Sequence, residues 1–156
     1  MKTIFLVVLL TLALSATALS QTAEGHLEKG HSFWTRGKQL QAEGQYLRAL
    51  ELNPQLGVAH ARLGEIYQGR RHYAEAVAHY RKALDGQFNP PEIYTRLALC
   101  LQKRGHIDQA IETYHVLITM YPRFPEAYLG LGGLYDAQGN KQMAEEAYAR
   151  YRLLKP

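Results

Sequence analysis

Seven histidines are the side chains best suited to chemistry in this sequence: His26, His31, His60, His72, His79, His106 and His115. A helical metal site needs two of them at i and i+4, or one backed by cysteine and carboxylate ligands. No two stand at that spacing and no such cluster accompanies them. His26 and His60 share a repeat column with Tyr94 and Tyr128, which points to packing. Gly130-Leu131-Gly132-Gly133 has the glycine content of a phosphate loop, but no Gly-Lys-Ser/Thr follows to complete it. A Gly-x-Ser-x-Gly nucleophile elbow is absent from the sequence. The sequence therefore predicts no catalytic residue, no metal and no cofactor. Cys100 is the single cysteine, so no disulfide can form within one chain. Two readings fit it: a buried thiol acting as a small apolar residue, or a partner for an intermolecular disulfide.

The 156 residues carry a formal charge of +4, with no basic run longer than Arg70-Arg71. That is too little, and too spread, for a nucleic-acid footprint. The N-terminus is more informative. Lys2 precedes an apolar run from Ile4 to Leu14, and the small residues Ser15-Ala16-Thr17-Ala18-Leu19-Ser20 follow. This is the layout of a secretory signal peptide over residues 1–20, with cleavage after Ala18 or Ser20. An uncleaved anchor is the alternative, because Thr3 to Ala23 carries no charge and is long enough to span a bilayer. Both readings place the rest of the chain across the membrane, in a periplasm or at a cell surface. Membrane contact is expected only if the segment stays attached. No cysteine follows the apolar run, so lipidation is not expected.

The elements that would position any site emerge from a 34-residue period. With units beginning at 23, 57, 91 and 125, one column reads Ala42, Ala76, Ala110, Ala144 and another reads Tyr46, Tyr80, Tyr114, Tyr148. Further columns read Gly30, Gly64, Ala98, Gly132 and Phe33, Tyr67, Leu101, Tyr135. Apolar residues three and four apart predict two amphipathic helices per unit. Small residues at Gly64 and Ala76 let those helices approach, and the aromatic columns fill the space around them. Gly37, Gly105 and Gly139 supply left-handed stops between the helices, with Arg71 replacing the glycine in the second unit. Pro54, Pro122 and Pro156 end the second helices. The first unit is the least regular, with Lys29 in a leucine column and Gly44 inside its second helix. A rival frame would put the turn at Gly44-Gln45-Tyr46, but the regular frame keeps Ala42 and Tyr46 in column. Phe88-Asn89-Pro90-Pro91 predicts an irregular exit from the second unit.

Leu63-Gly64, Tyr67, Ala76, Tyr80 and Ala83 resemble the tetratricopeptide repeat (TPR) pattern. So do Leu97-Ala98, Leu101, Gly105, Ala110, Tyr114 and Pro122, and the helix ending Ala49-Leu50-Glu51-Leu52-Asn53-Pro54. The resemblance covers 23–156, as repeats 23–56, 57–90, 91–124 and 125–156. It implies an all-α, right-handed α-solenoid of four helix-turn-helix units. It further implies that first helices line a concave groove which binds a protein or peptide. The family's groove positions fall on Leu27, His31 and Trp34, then on Ala61, Glu65 and Gln68. They continue through Thr95, Leu99 and Gln102 to Leu129, Gly133 and Asp136. Glu65, Gln68, Gln102 and Asp136 suggest a polar, slightly acidic strip. Trp34, the only tryptophan, fits both an aromatic anchor for a partner and packing against residues ahead of the first helix. The asparagine-and-lysine pattern that chaperone-binding members use on a C-terminal carboxylate is absent.

The leading reading is an exported scaffold or adaptor for an envelope or surface complex. The alternative is a structural subunit that associates with its own copies. The sequence stops where the fourth repeat stops, so the face that a fifth would cover is expected to be open. Tyr148, Tyr151 and Leu154 are the residues expected on it. A head-to-tail contact there need not close, and would build an extended assembly.

Overall fold

The computed structural model describes residues 22–155, so the expected signal segment over residues 1–20 and Pro156 lie outside the described residues. Those residues form eight α-helices and no strand, arranged as four consecutive antiparallel hairpins. The first pairs α1 (Ala23–Thr35) with α2 (Gln39–Leu52), and the second α3 (Gly57–Gly69) with α4 (Tyr73–Asp85). The third pairs α5 (Pro91–Lys103) with α6 (Ile107–Met120), and the fourth α7 (Pro125–Ala137) with α8 (Lys141–Leu154). The result is the all-α solenoid that the family resemblance implies.

All four hairpin turns share one Schellman geometry. Lys38, His72, His106 and Asn140 donate their backbone N–H to the carbonyls of Phe33, Tyr67, Leu101 and Tyr135, each at 2.9 Å. The residue just before each donor takes a positive φ: 71° at Gly37, 63° at Arg71, 78° at Gly105 and 76° at Gly139. Arg71 therefore adopts a backbone conformation that an L side chain resists, and it replaces a residue that adopts it freely. Gly44 does not break α2, which runs unbroken through it, as the regular frame requires. Pro91 and Pro125 stand in the first turns of α5 and α7, where a missing N–H costs nothing. The second hairpin leaves irregularly: α4 stops at Asp85 and Gln87 turns at φ 60°. Gly57 and Gly86 pass so closely there that a Cβ on Gly86 would lie 2.6 Å from the Gln55 carbonyl oxygen.

The hairpins close through the tyrosine and glycine columns. A Cβ on Gly64 would lie 2.6 Å from the Tyr80 ring, and one on Gly132 the same distance from Tyr148. Tyr46 covers Gly30 in the same way. The third hairpin departs from this. Ala98 occupies the glycine position, its methyl bars the seat, and the Tyr114 ring instead lies over Gly130 of α7. Gly130 stands in register with Glu28, Arg62 and Arg96, so the glycine has moved with the ring it must admit. The helices of this hairpin also pack less closely than those of the other three. Cys100 is fully buried in the core that joins the last three hairpins, and burial pushes its thiol up to about 11.

Candidate functional site

Successive first helices build one polar face. Arg62 and Glu65, three apart on α3, form an ion pair with Arg62 Nη1 donating to Glu65 Oε2 at 2.8 Å. From α5 the Arg96 Nε lies 3.7 Å from the other oxygen of the same carboxylate. The Glu65 side chain is only 14% exposed, so two guanidinium groups share one largely buried acid. The strip carries both signs there: Arg62 and Arg96 converge on Glu65, and the Glu92 and Glu126 side chains line the same clefts. Two clefts flank Arg96. One, of about 300 Å³, lies over Ala61, Glu65, Phe88 and Ile93. The other, of about 360 Å³, is lined by Gln68, Thr95, Leu99, Tyr114 and Leu129. Leu99 and Leu129 are exposed beside the second cleft, which therefore offers apolar surface next to a positive charge.

The tyrosine column supplies the floor. Tyr80 Oη donates to Gln68 Oε1 at 2.6 Å, and Tyr148 Oη donates to Asp136 Oδ2 at 3.2 Å. Burial raises the Tyr80 hydroxyl far above its ordinary value, which keeps it a donor. Trp34 stands in register with Gln68 and Asp136, and an indole offers no acceptor. Accordingly the buried Tyr46 hydroxyl has no partner, and neither has the neighbouring His31 Nε2. The His31 ring meets Tyr46 edge-on at 5.8 Å. Burial and the nearby Arg62 charge lower its pKa.

The expected groove residues thus divide. Glu65, Gln68, Thr95, Leu99 and Leu129 gather around Arg96. Leu27 and Trp34 are half-buried against the core shared by the first two hairpins, so among the described residues Trp34 packs on its own repeat and the next. Ala61 is buried and Gly133 half-buried, whereas Gln102 is exposed and outside both clefts. Asp136 is held by Tyr148. Arg62 and Arg96 were not among the expected residues. Their signal was present as an i, i+3 Arg–Glu pair on α3 with an arginine one repeat later.

The residues expected on the last stacking face are each partly buried. Tyr148 turns in over Gly132, and Tyr151 and Leu154 are half-buried, with Lys155 Nζ 5.6 Å from the centre of the Tyr151 ring. The stacking positions themselves are Val77 and Leu84 on α4 and Ile111 and Ile118 on α6, all joined to the central core. Their counterparts on α8 are Glu145 and Arg152, which pair at 2.7 Å. That face is polar.

Two histidines do form a pair. His60 Nε2 lies 3.1 Å from the Pro54 carbonyl oxygen, which can only accept, so His60 donates from Nε2. Its Nδ1 then accepts from His79 Nδ1 at 3.0 Å. Tyr67 stacks on His79 at 5.3 Å. Burial, with smaller contributions from His60 and Lys82, pushes the His79 pKa down to about 4. Among the described residues no group of three or more His, Cys, Asp or Glu side chains is placed to hold a metal ion. No described helix is long and apolar enough to cross a membrane.

Comparison with known proteins agrees with this architecture. A tetratricopeptide repeat family model matches residues 27–93 and 95–155. No curated protein matches the sequence. A crystal structure of MamA superposes with a TM-score of 0.81 at 21% identity, over 91% of this chain and 83% of that one. PilF of Pseudomonas aeruginosa gives 0.71 at 22% identity, over 85% and 61% of the two chains. A tetratricopeptide repeat protein from Parabacteroides merdae gives 0.75 at 26% identity, over 82% and 51%.

Proposed function

This chain belongs to the tetratricopeptide repeat family, and from that premise we propose that it is an exported scaffold holding a protein partner along its first-helix face. The observation that carries this reading is the Arg62–Glu65–Arg96 cluster beside exposed Leu99 and Leu129. Two guanidinium groups share the Glu65 carboxylate, and the Arg96 side chain, 43% exposed between Glu92 and Glu126, keeps N–H groups open to a partner's acid. The neighbouring cleft accepts an apolar side chain. The partner is thus a peptide segment pairing an aspartate or glutamate with a nearby leucine, isoleucine or phenylalanine.

Selection of displayed peptides on the purified protein tests this. Acidic-apolar segments are expected to enrich. Arg96→Glu is expected to weaken them at least about tenfold, the scale of one lost charge-assisted contact, with the helical circular dichroism unchanged. Equal binding by that variant, or enrichment of unrelated peptides, overturns the reading. Export is supported by the charge and apolar order of residues 1–20. Fractionation of expressing cells, with sequencing of the mature N-terminus, is expected to find the chain outside the cytoplasm, starting near Gln21. An intact N-terminus in the cytoplasmic fraction would refute it.

A further inference from the structure

The second-helix side of the molecule carries its own unpartnered surfaces. On this side one column is occupied by Gln45, His79, Thr113 and Ala147, and its long polar members reach the first helix of their own hairpin. Gln45 reaches His26 at 2.8 Å, and His79 packs against His60 and Tyr67. Ala147 is too short to do either. A groove of about 500 Å³ therefore stays open between α6 and α8, floored by Tyr128, Leu131 and Tyr135 and walled by Ile118, Met143 and Leu153. Leu153 is 78% exposed. His115, Glu146 and Arg150 stand at its edge.

At the opposite end of the same side, α2 presents the converse shape. Leu40 (76% exposed) and Leu47 (41%) lie seven apart on one face. Between them Gly44 has nothing within 4 Å of the position its Cβ would take, so a partner surface can approach the backbone there. No large apolar side chain is exposed on the second hairpin. The apolar ridge and the apolar groove are thus separated along the solenoid and cannot meet within one molecule. Exposed Arg48 and Glu51 flank the ridge, and Glu146 and Arg150 flank the groove with the order of sign reversed along the chain. A parallel approach of α2 to α8 sets opposite charges together at both places.

We propose that the groove between α6 and α8 receives the Leu40–Gly44–Leu47 ridge of a second copy, joining chains head to tail. The contact is heterologous, so each bound copy leaves one free ridge and one free groove, and the assembly grows with concentration. It uses neither the polar Glu145–Arg152 face nor the first-helix clefts, and does not depend on the peptide reading above. Sedimentation velocity on the exported form of the chain tests it. The mean mass of wild type is expected to rise with concentration, while Leu47→Glu and Leu153→Glu each stay monomeric. An equimolar mixture of the two is expected to form dimers and stop there, because one variant keeps a groove and the other a ridge. Arg48→Glu is expected to weaken association, and adding Glu146→Arg to restore it. Arg96→Glu is expected to lose peptide binding yet associate as wild type. Monomeric wild type at every concentration, a mixture that stays monomeric, or loss of association in Arg96→Glu would each overturn the proposal.

Discussion

The second and third hairpins have the same turn, the same tyrosine column and nearly the same helix lengths, yet they are closed in opposite ways. Tyr80 covers Gly64 of its own hairpin and ties down Gln68. Tyr114 meets Ala98 in that place and crosses to Gly130 of the fourth hairpin. The first arrangement fastens a repeat to itself, and the second fastens a repeat to its neighbour. A repeat column therefore specifies a pair, a ring and the gap that admits it, rather than two separate residues.

The sharpest way to break this contrast is Gly130→Ala. The new methyl would overlap the Tyr114 ring, which Ala98 already bars from its alternative seat, so a loss of about 2–3 kcal/mol is expected. Adding Ala98→Gly reopens the seat inside the third hairpin and is expected to recover part of that loss. Urea denaturation of the two single variants and the double variant measures the coupling. Strictly additive effects would show that the two positions do not share the ring.

The hairpins should also part company in acid. In the second, His60 and His79 are bonded as neutral rings, and the folded pKa of both lies below the usual 6.5. The unfolded chain then binds protons that the fold excludes, so stability is full above pH 6.5 and falls as the pH drops toward about 4. Lys82 opposes the added charge and Glu43 partly offsets it. The third hairpin has Tyr94 and Thr113 at these positions and no such dependence. His79→Gln supplies an amide that donates to neutral His60 Nδ1 through its NH2 and accepts from the protonated ring through its carbonyl. It is expected to flatten the fall in melting temperature between pH 6.5 and 4, and an unchanged slope would count against the pair.

Much of this was legible in the sequence. The 34-residue columns gave the helices and the left-handed turns, because each depends on local spacing, while for Cys100 the structure selects the buried one of two readings. What lay hidden depends on which way a side chain turns once the helices are packed. Arg62 and Arg96 stood outside the expected groove positions until Glu65 drew them together. Tyr148 looked like an open end until Gly132 gave it a seat. The polar character of Glu145 and Arg152 was visible in the columns, yet its meaning required knowing that Val77, Leu84, Ile111 and Ile118 face the next repeat. The crossing of Tyr114 needed two departures, at Ala98 and Gly130, to be connected across a hairpin boundary.

Removing single hydroxyls extends the contrast to a finer scale. Tyr80→Phe deletes the 2.6 Å bond to Gln68 and is expected to cost about 1 kcal/mol. Tyr46→Phe removes a buried hydroxyl without a partner, because Trp34 stands where an acceptor would be. It is therefore expected to be neutral or stabilising by about 1 kcal/mol. Equal losses in the two thermal melts would mean that the first hairpin satisfies Tyr46 in solution.

The smallest effect concerns the turns, where the second and third hairpins differ by one side chain. Arg71 holds φ 63° where Gly105 holds 78°. A non-glycine residue in this region is strained by about 1–2 kcal/mol. Glycine removes the strain but gains freedom in the unfolded chain, which returns about 0.4–1 kcal/mol of it. Arg71→Gly should therefore stabilise the fold by roughly 0.5 kcal/mol, the difference between those two costs. Gly105→Arg imposes the same strain on the third hairpin and should destabilise it by a similar amount. Opposite signs for the two substitutions in one denaturation series would identify backbone conformation as the cause. A loss in both would instead point to contacts made by the Arg71 side chain.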